Sequence, residues 1–190
     1  MLWFLGWILG PSVLAAVPPP LSVTAAEQEV LREGEIVVRD SGDGAVVGVV
    51  DLGAAPPVVL EEVMNLEARV AEVGPIQDIT VYARDATGVG ARWEVGMFGV
   101  SAVFHVRYTV DTESGWCTFS LDGTKENEIA STAGSYQVYA SGTGTRLVYR
   151  SEASAEGSTP AWLRDFLTSR SMRQQLTGIA ARAERRGLAE

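Results

Sequence analysis

The feature that most constrains this chain is the order of its patterns: a run of alternating strands followed at the end by one long amphipathic stretch, Pro160 to Arg186. Residues 103–110 show the alternation best. Phe104, Val106, Tyr108 and Val110 share one parity, and Val103, His105, Arg107 and Thr109 share the other, which is the signature of a sheet with one buried face. A half-buried sheet needs a partner layer, and a single terminal helix laid across a curved antiparallel sheet tends to enclose a cavity. The order therefore points to a container for a ligand more than to an open catalytic cleft.

The strands can be placed one by one. Glu35 to Arg39 and Ala45 to Leu52 flank Ser41-Gly42-Asp43-Gly44, and read as one hairpin or one broken first strand. Pro56-Pro57 opens a helical region that ends at Gly74-Pro75; two short helices joined near Asn65 fit it better than one long helix. Ile76 to Arg84, a strand pair over Arg92 to Asp111 hinged at Gly96 and Gly99, Trp116 to Leu121, Ser135 to Ala140 and Thr145 to Ser151 complete the sheet. Parity assigns Trp93, Val95 and Met97, then Phe119 and Leu121, Tyr136 and Val138, and Leu147 and Tyr149 to the inner face, with Arg146 and Arg150 outside. Ser158-Thr159-Pro160 suits the start of the last helix. Its two apolar groups, Trp162 to Leu167 and Leu176 to Ala183, share a stripe only if the helix bends near Ser169 to Ser171.

Composition excludes several functions. The 190 residues fit one domain, and a net charge of −9 argues against a nucleic-acid partner, because phosphate binding needs a concentrated basic surface. Charge is uneven: six arginines against Asp165, Glu184 and Glu190 give +3 from Pro160 onward, so the remainder carries −12. That basic segment is either a solvated helix face complementing an acidic body or a surface for contact with anionic lipid headgroups. The first 26 residues carry no charged side chain, and the apolar run to Val17, Pro18-Pro19-Pro20 and the small residues up to Ala26 read as an export signal cut near Ala25 or Ala26. The alternative is an uncleaved amino-terminal membrane anchor, although Gly6, Gly10 and Pro11 interrupt the run. Neither charge nor repeats indicate an oligomeric state.

Chemistry-bearing residues are few. His105 is the only histidine and Cys117 the only cysteine, so multi-histidine metal centres, thiolate metal sites and intramolecular disulfides are excluded. Cys117 reads as a small buried hydrophobe and His105 as a residue on the outer face of the sheet. Asp122, Glu126 and Glu128 surround Gly123, but their spacing matches no calcium loop and a solvated acidic turn accounts for them. Gly142-Thr143-Gly144-Thr145 lacks the lysine and helix of a phosphate loop, and is a hairpin turn.

Short helices ahead of the sheet, Trp93-x-Val95, Gly134-Ser135-Tyr136-x-Val138, Gly144-Thr145-x-Leu147-x-Tyr149 and the long terminal helix together resemble the START-like (SRPBCC) superfamily, including its coenzyme Q-binding and polyketide cyclase-like bacterial proteins. The resemblance covers about Ala45 to Arg186. It implies an α+β helix-grip fold: a curved antiparallel sheet wrapped around the carboxy-terminal helix, with short helices after the first strand. The expected organisation is a signal peptide over 1–26 and a START-like ligand-binding domain over 35–187. The expected function is that of an exported, periplasmic or extracellular, protein holding a lipid, quinone or polyketide-like molecule, with no cofactor and no metal. Trp93, Met97, Phe104, Tyr108, Phe119, Tyr136 and Tyr149, with Phe166 from the helix, are the expected contacts; each is also explicable as core. Two alternatives stand beside it. One is a cyclase or dehydratase using Tyr108, Tyr136 or Tyr149, or His105 and Arg107 in a register slipped by one. The other is an envelope interaction protein whose cavity is filled by its own side chains.

Overall fold

The computed structural model describes residues 17–142, 144–152 and 169–189. They form an antiparallel sheet of eight strands: β1 (Val37–Asp40), β2 (Val46–Leu52), β3 (Ile76–Asp85), β4 (Gly88–Met97), β5 (Val100–Asp111), β6 (Trp116–Leu121), β7 (Ala133–Ser141) and β8 (Gly144–Glu152). Their order is β1-β2-β8-β7-β6-β5-β4-β3, so the pairing of β2 with β8 joins the beginning of the domain to its end. The Ser41 to Gly44 segment is the turn of a β1–β2 hairpin, with Gly42 and Gly44 at positive φ. Helix α2 (Pro56–Met64) and a 3-10 helix (Glu67–Ala71) stand where two short helices are expected.

Helix α3 (Ser169–Gly187) lies across the concave side. Its stripe of Met172, Leu176, Ile179 and Ala183, all buried, meets a core drawn from every strand except β1. Contact with β2 is close because position 48 lacks a side chain: a Cβ there would stand 2.5 Å from Leu176 Cδ1 and 2.8 Å from Met172 Sδ. The other end of the helix is tied to α2. Arg182 Nε donates to Glu62 Oε2 at 2.8 Å and Arg182 Nη2 to the Glu62 carbonyl at 3.0 Å, while a further arm reaches Glu72. The segment in which Trp162, Leu163, Phe166 and Leu167 fall lies outside the described residues, as does the bend expected just ahead of Ser169.

The parity reading of the inner face holds: along β5, Ala102, Phe104, Val106 and Tyr108 are buried and alternate with half-buried or exposed residues. The outer face departs from expectation. Helix α1 (Ala25–Arg32) and the chain before it cover part of the sheet's convex side, where Leu31, Val47, Val49 and Val148 form a second apolar cluster joined by Leu21 and Val23. Arg146 does lie on that side, yet it is buried beneath α1, paired with Asp51 at 2.7 Å and donating to Gln28 at 3.0 Å. The α1 amino terminus is closed by a capping box in which Thr24 and Glu27 satisfy each other's backbone N–H groups. The expected cleavage positions, Ala25 and Ala26, fall in the first turn of this helix.

Candidate functional site

Between the concave face and the first turns of α3 lies a void of about 40 Å³. Since one water occupies roughly 10–15 Å³ by this measure, there is room for on the order of three water-sized atoms. Its walls are Trp93 from β4, Phe104 and Tyr108 from β5, Phe119 from β6 and Tyr149 from β8. Thr132, Ser151, Ser171 and Gln175 form its polar side, at the end of the sheet where β8 finishes and α3 begins.

The aromatic walls are held by one another. Trp93 and Phe104, opposite each other on β4 and β5, stack with ring centroids 6.2 Å apart and planes 11° apart. Tyr136 and Tyr149, opposite each other on β7 and β8, stack at 4.4 Å, and Phe119 lies 5.6 to 6.1 Å from the rings of Tyr108, Tyr136 and Tyr149. Such cross-strand pairs fix each ring by the pleat, so the walls are rigid. Five of the expected contact residues therefore line the void. Tyr136 stands behind the wall as a stacking partner. Met97 does not reach it: four residues beyond Trp93, it is half-buried at the end of β4, beside the hairpin tip. Phe166 lies outside the described residues.

The residue the sequence reading missed is Arg69. It is 1% exposed, although it sits on the 3-10 helix, and its guanidinium enters the interior beside Trp93 and Tyr136, 5.8 and 5.4 Å from their ring centroids. Arg69 Nη2 donates to the Val63 carbonyl at 2.6 Å, and Nη1 to Gln175 Oε1 at 3.1 Å and Tyr136 Oη at 3.2 Å. All three acceptors are neutral; among the described residues no carboxylate pairs with it. Its Nε–H, and the indole Nε1–H of Trp93, are buried without a hydrogen-bond partner. Burial opposes the arginine's charge, but the tyrosine oxygens around it more than offset this, and its pKa lies above even the ordinary arginine value. Burial likewise pushes Tyr108 and Tyr136 well above the usual tyrosine range despite the nearby cation. The interior is thus a permanent positive charge among neutral phenols. A signal for Arg69 existed: it occupies an apolar slot of the Leu66, Val70, Val73 stripe.

The other chemistry-bearing residues stand apart from the void. His105 is on the outer face, its Nδ1 3.0 Å from the Glu126 carbonyl and its ring edge-on to Tyr82, and Arg107 is exposed and paired with Asp85. The register of β4 against β5 runs Trp93 to Phe104 and Val89 to Tyr108, so the slipped pairing that would turn His105 inward does not occur. Asp122 accepts from Thr124 and Tyr82, which together pull its pKa down to about 2, and Glu128 accepts from the Val103 N–H at 2.6 Å. No group of three potential metal ligands occurs among the described residues. Cys117 is buried 3.8 Å from Met64 Sδ, and burial pushes its thiol up to about 12.

No family model and no curated protein matches the chain. Solved structures do. The STAR-related lipid transfer protein of Xanthomonas axonopodis superposes with a TM-score of 0.63 at 17% identity, covering 80% of this chain and 94% of that one. The Zhui aromatase/cyclase of Streptomyces sp. R1128 gives 0.61 at 15% identity, over 79% and 96%. A START superfamily protein of Mycobacterium smegmatis gives 0.58 at 16%, over 74% and 97%. The fold is the START-like helix-grip fold. At these identities the likeness is one of architecture, and the void of START-like proteins must be read here from this chain's own side chains.

Proposed function

We propose that this protein is an exported binder of a largely apolar small molecule, which it holds by one end between the sheet and α3. The observation that carries the reading is a void lined by five aromatic rings, by the buried Arg69 and by a few neutral polar side chains. Its size takes only the end of a ligand. A longer ligand leaves past Thr132, Ser151 and Ser171, or displaces the first turn of α3. Lipid, quinone and polyketide-like molecules all have a compact oxygen-bearing end and an apolar remainder, in keeping with structural neighbours named for lipid transfer and for aromatase/cyclase activity. The apolar leader supports export; an amino-terminal anchor is its alternative, and among the described residues no helix is long and apolar enough to cross a membrane. Organic extraction of the purified protein followed by mass spectrometry tests the reading. A co-purified amphiphile in stoichiometric amount is the expected result, and repeatedly empty extracts that also bind no added amphiphile favour the filled-interior alternative.

Contact with a membrane surface through α3 belongs to the same proposal, in narrower form. Arg182 and Arg186 are paired with Glu61, Glu62 and Glu72, so among the described residues Arg170, Arg185 and Arg173, which donates to the Ile36 carbonyl, are the α3 arginines without a carboxylate partner. A cyclase would need a base in the interior, and the raised tyrosine pKa values leave Tyr108 and Tyr136 as proton donors. Turnover of an added polyketide would favour that reading over simple binding.

A further inference from the structure

We propose that Arg69 and Trp93 form a carboxylate-binding subsite, so that the ligand is an apolar acid; this rests on the binding function proposed above and names its ligand class. Three observations converge. First, Arg69 is a buried ion whose three hydrogen-bond acceptors are all neutral, and among the described residues no carboxylate faces it. Burying an unpaired charge is expensive, and the arrangement is best balanced when an anion enters. Second, two residues that line the void each carry a buried N–H with no acceptor among the described residues, Arg69 Nε and Trp93 Nε1. Buried donors of this kind are rare in folded proteins, and each asks for an oxygen. Third, the void has room for on the order of three water-sized atoms, which is the size of a carboxylate group and smaller than a ring.

The aromatic faces explain the rest of the ligand. Trp93 and Tyr136 flank the guanidinium and Phe104 and Phe119 face the same space, so the atoms next to the carboxylate meet hydrocarbon. A free inorganic anion would gain the charge but none of this contact. An alcohol or ester would gain the contact but leave the charge unbalanced.

The test is a titration of the purified protein with dodecanoate, methyl dodecanoate and dodecanol, followed by calorimetry and by the emission of the tryptophans. Dodecanoate should bind at least about tenfold more tightly than its ester and the alcohol, the factor expected of one charge-assisted hydrogen-bond pair in a dry site. Arg69→Met keeps an unbranched apolar stem out to the position of Nε and removes the guanidinium; it should abolish that preference while the protein stays folded by circular dichroism. Trp93→Phe, which keeps an aromatic ring in the wall while removing the N–H along with part of the indole, should reduce the preference without abolishing it. Equal binding of the three probes to the unaltered protein overturns the carboxylate subsite and leaves the binding function standing. Binding of none of them overturns both. An acid preference that survives Arg69→Met also overturns the assignment, because the anion must then be held elsewhere.

Discussion

Replacing Arg182 by Met should cost about 3–5 kcal/mol at pH 7, and that cost should shrink as the pH falls. The Glu62 and Arg182 side chains are 7% and 9% exposed and meet at 2.8 Å, with Arg182 also bonded to the Glu62 carbonyl and to Glu72. At an effective dielectric of 20 the attraction at this distance is about 6 kcal/mol, and desolvation of the two ions offsets most of it. The pair itself is therefore worth little against an apolar replacement. Removing only the arginine is different, because it takes the main counter-charge from a buried carboxylate and leaves it Asn65 and the more exposed Arg186, and losses of about 3–5 kcal/mol follow.

The pH dependence gives the sign. Burial alone would raise the Glu62 pKa, but hydrogen bonds from Arg182, Asn65 and Arg186 outweigh it and hold the carboxyl below its ordinary value. In the unaltered protein this contribution is complete above the unfolded glutamate pKa and is lost as pH falls through the lower folded value. In Arg182→Met, burial prevails and the folded pKa rises, so the variant gains stability as it is acidified from pH 7 toward pH 5. Urea unfolding at the two pH values measures both effects, and Glu62→Leu in the Arg182→Met background should recover most of the loss. A cost under about 1 kcal/mol at pH 7, or one identical at pH 5, would refute the account of α3 anchoring.

Three other substitutions and one cleavage measurement have defined outcomes. Gly178→Ala would ordinarily add about 1 kcal/mol of helix propensity; here the new Cβ would stand 2.0 Å from Glu72 Oε2, which Arg182 holds in place, so a loss of about 1–2 kcal/mol is expected in urea and a gain would show that Glu72 moves freely. Gly48→Ala should cost about 1–3 kcal/mol by pushing α3 off β2, read as a lowered melting temperature. Phe98 and Gly99 both have positive φ, 56° and 78°, in the two-residue β4–β5 turn, and Phe98 is 89% exposed; Phe98→Asn should therefore stabilise by about 1 kcal/mol, and an unchanged unfolding midpoint would count against strain at this turn. Amino-terminal sequencing of exported protein should place any cut ahead of Pro18, whose carbonyl accepts from Gln137 at 2.7 Å, so that the Thr24 cap survives; a first residue at Ala26 or Glu27 would contradict this.

Period-2 alternation made the concave face legible because its cause is local: every second residue of β5 must leave water, whatever the rest of the chain does. The same logic failed on the convex face. Arg146 has the parity of a solvent residue, and only the folded arrangement of α1 over β2 and β8 supplies the Asp51 and Gln28 partners that allow its burial. Helix α1 itself was obscured because its capping box, Thr24 with Glu27, adjoins an apolar leader whose composition dominates the reading of the segment. Met97 shows the limit of parity. It shares the inward face with Trp93, but position along the strand also matters, and β4 has passed beyond the void by then.

Arg69 is the place where local rules and the fold disagree most, and such disagreements concentrate at functional sites. An apolar residue at position 69 would continue the stripe of Leu66 and Val73 and fill the interior without desolvating an ion. The protein instead carries the charge and leaves one of its N–H groups unpaired. This arrangement yields an expectation that separates a structural from a ligand-binding role. If Arg69 is there to hold the fold, Arg69→Met loses three hydrogen bonds and the ligand-free protein becomes less stable by roughly 2–4 kcal/mol. If it is there for an anion, replacing a buried ion that has no carboxylate partner among the described residues by the shorter, uncharged methionine leaves the ligand-free protein as stable or more so. Denaturant titration of delipidated protein distinguishes the two, and the second outcome is the one the geometry supports.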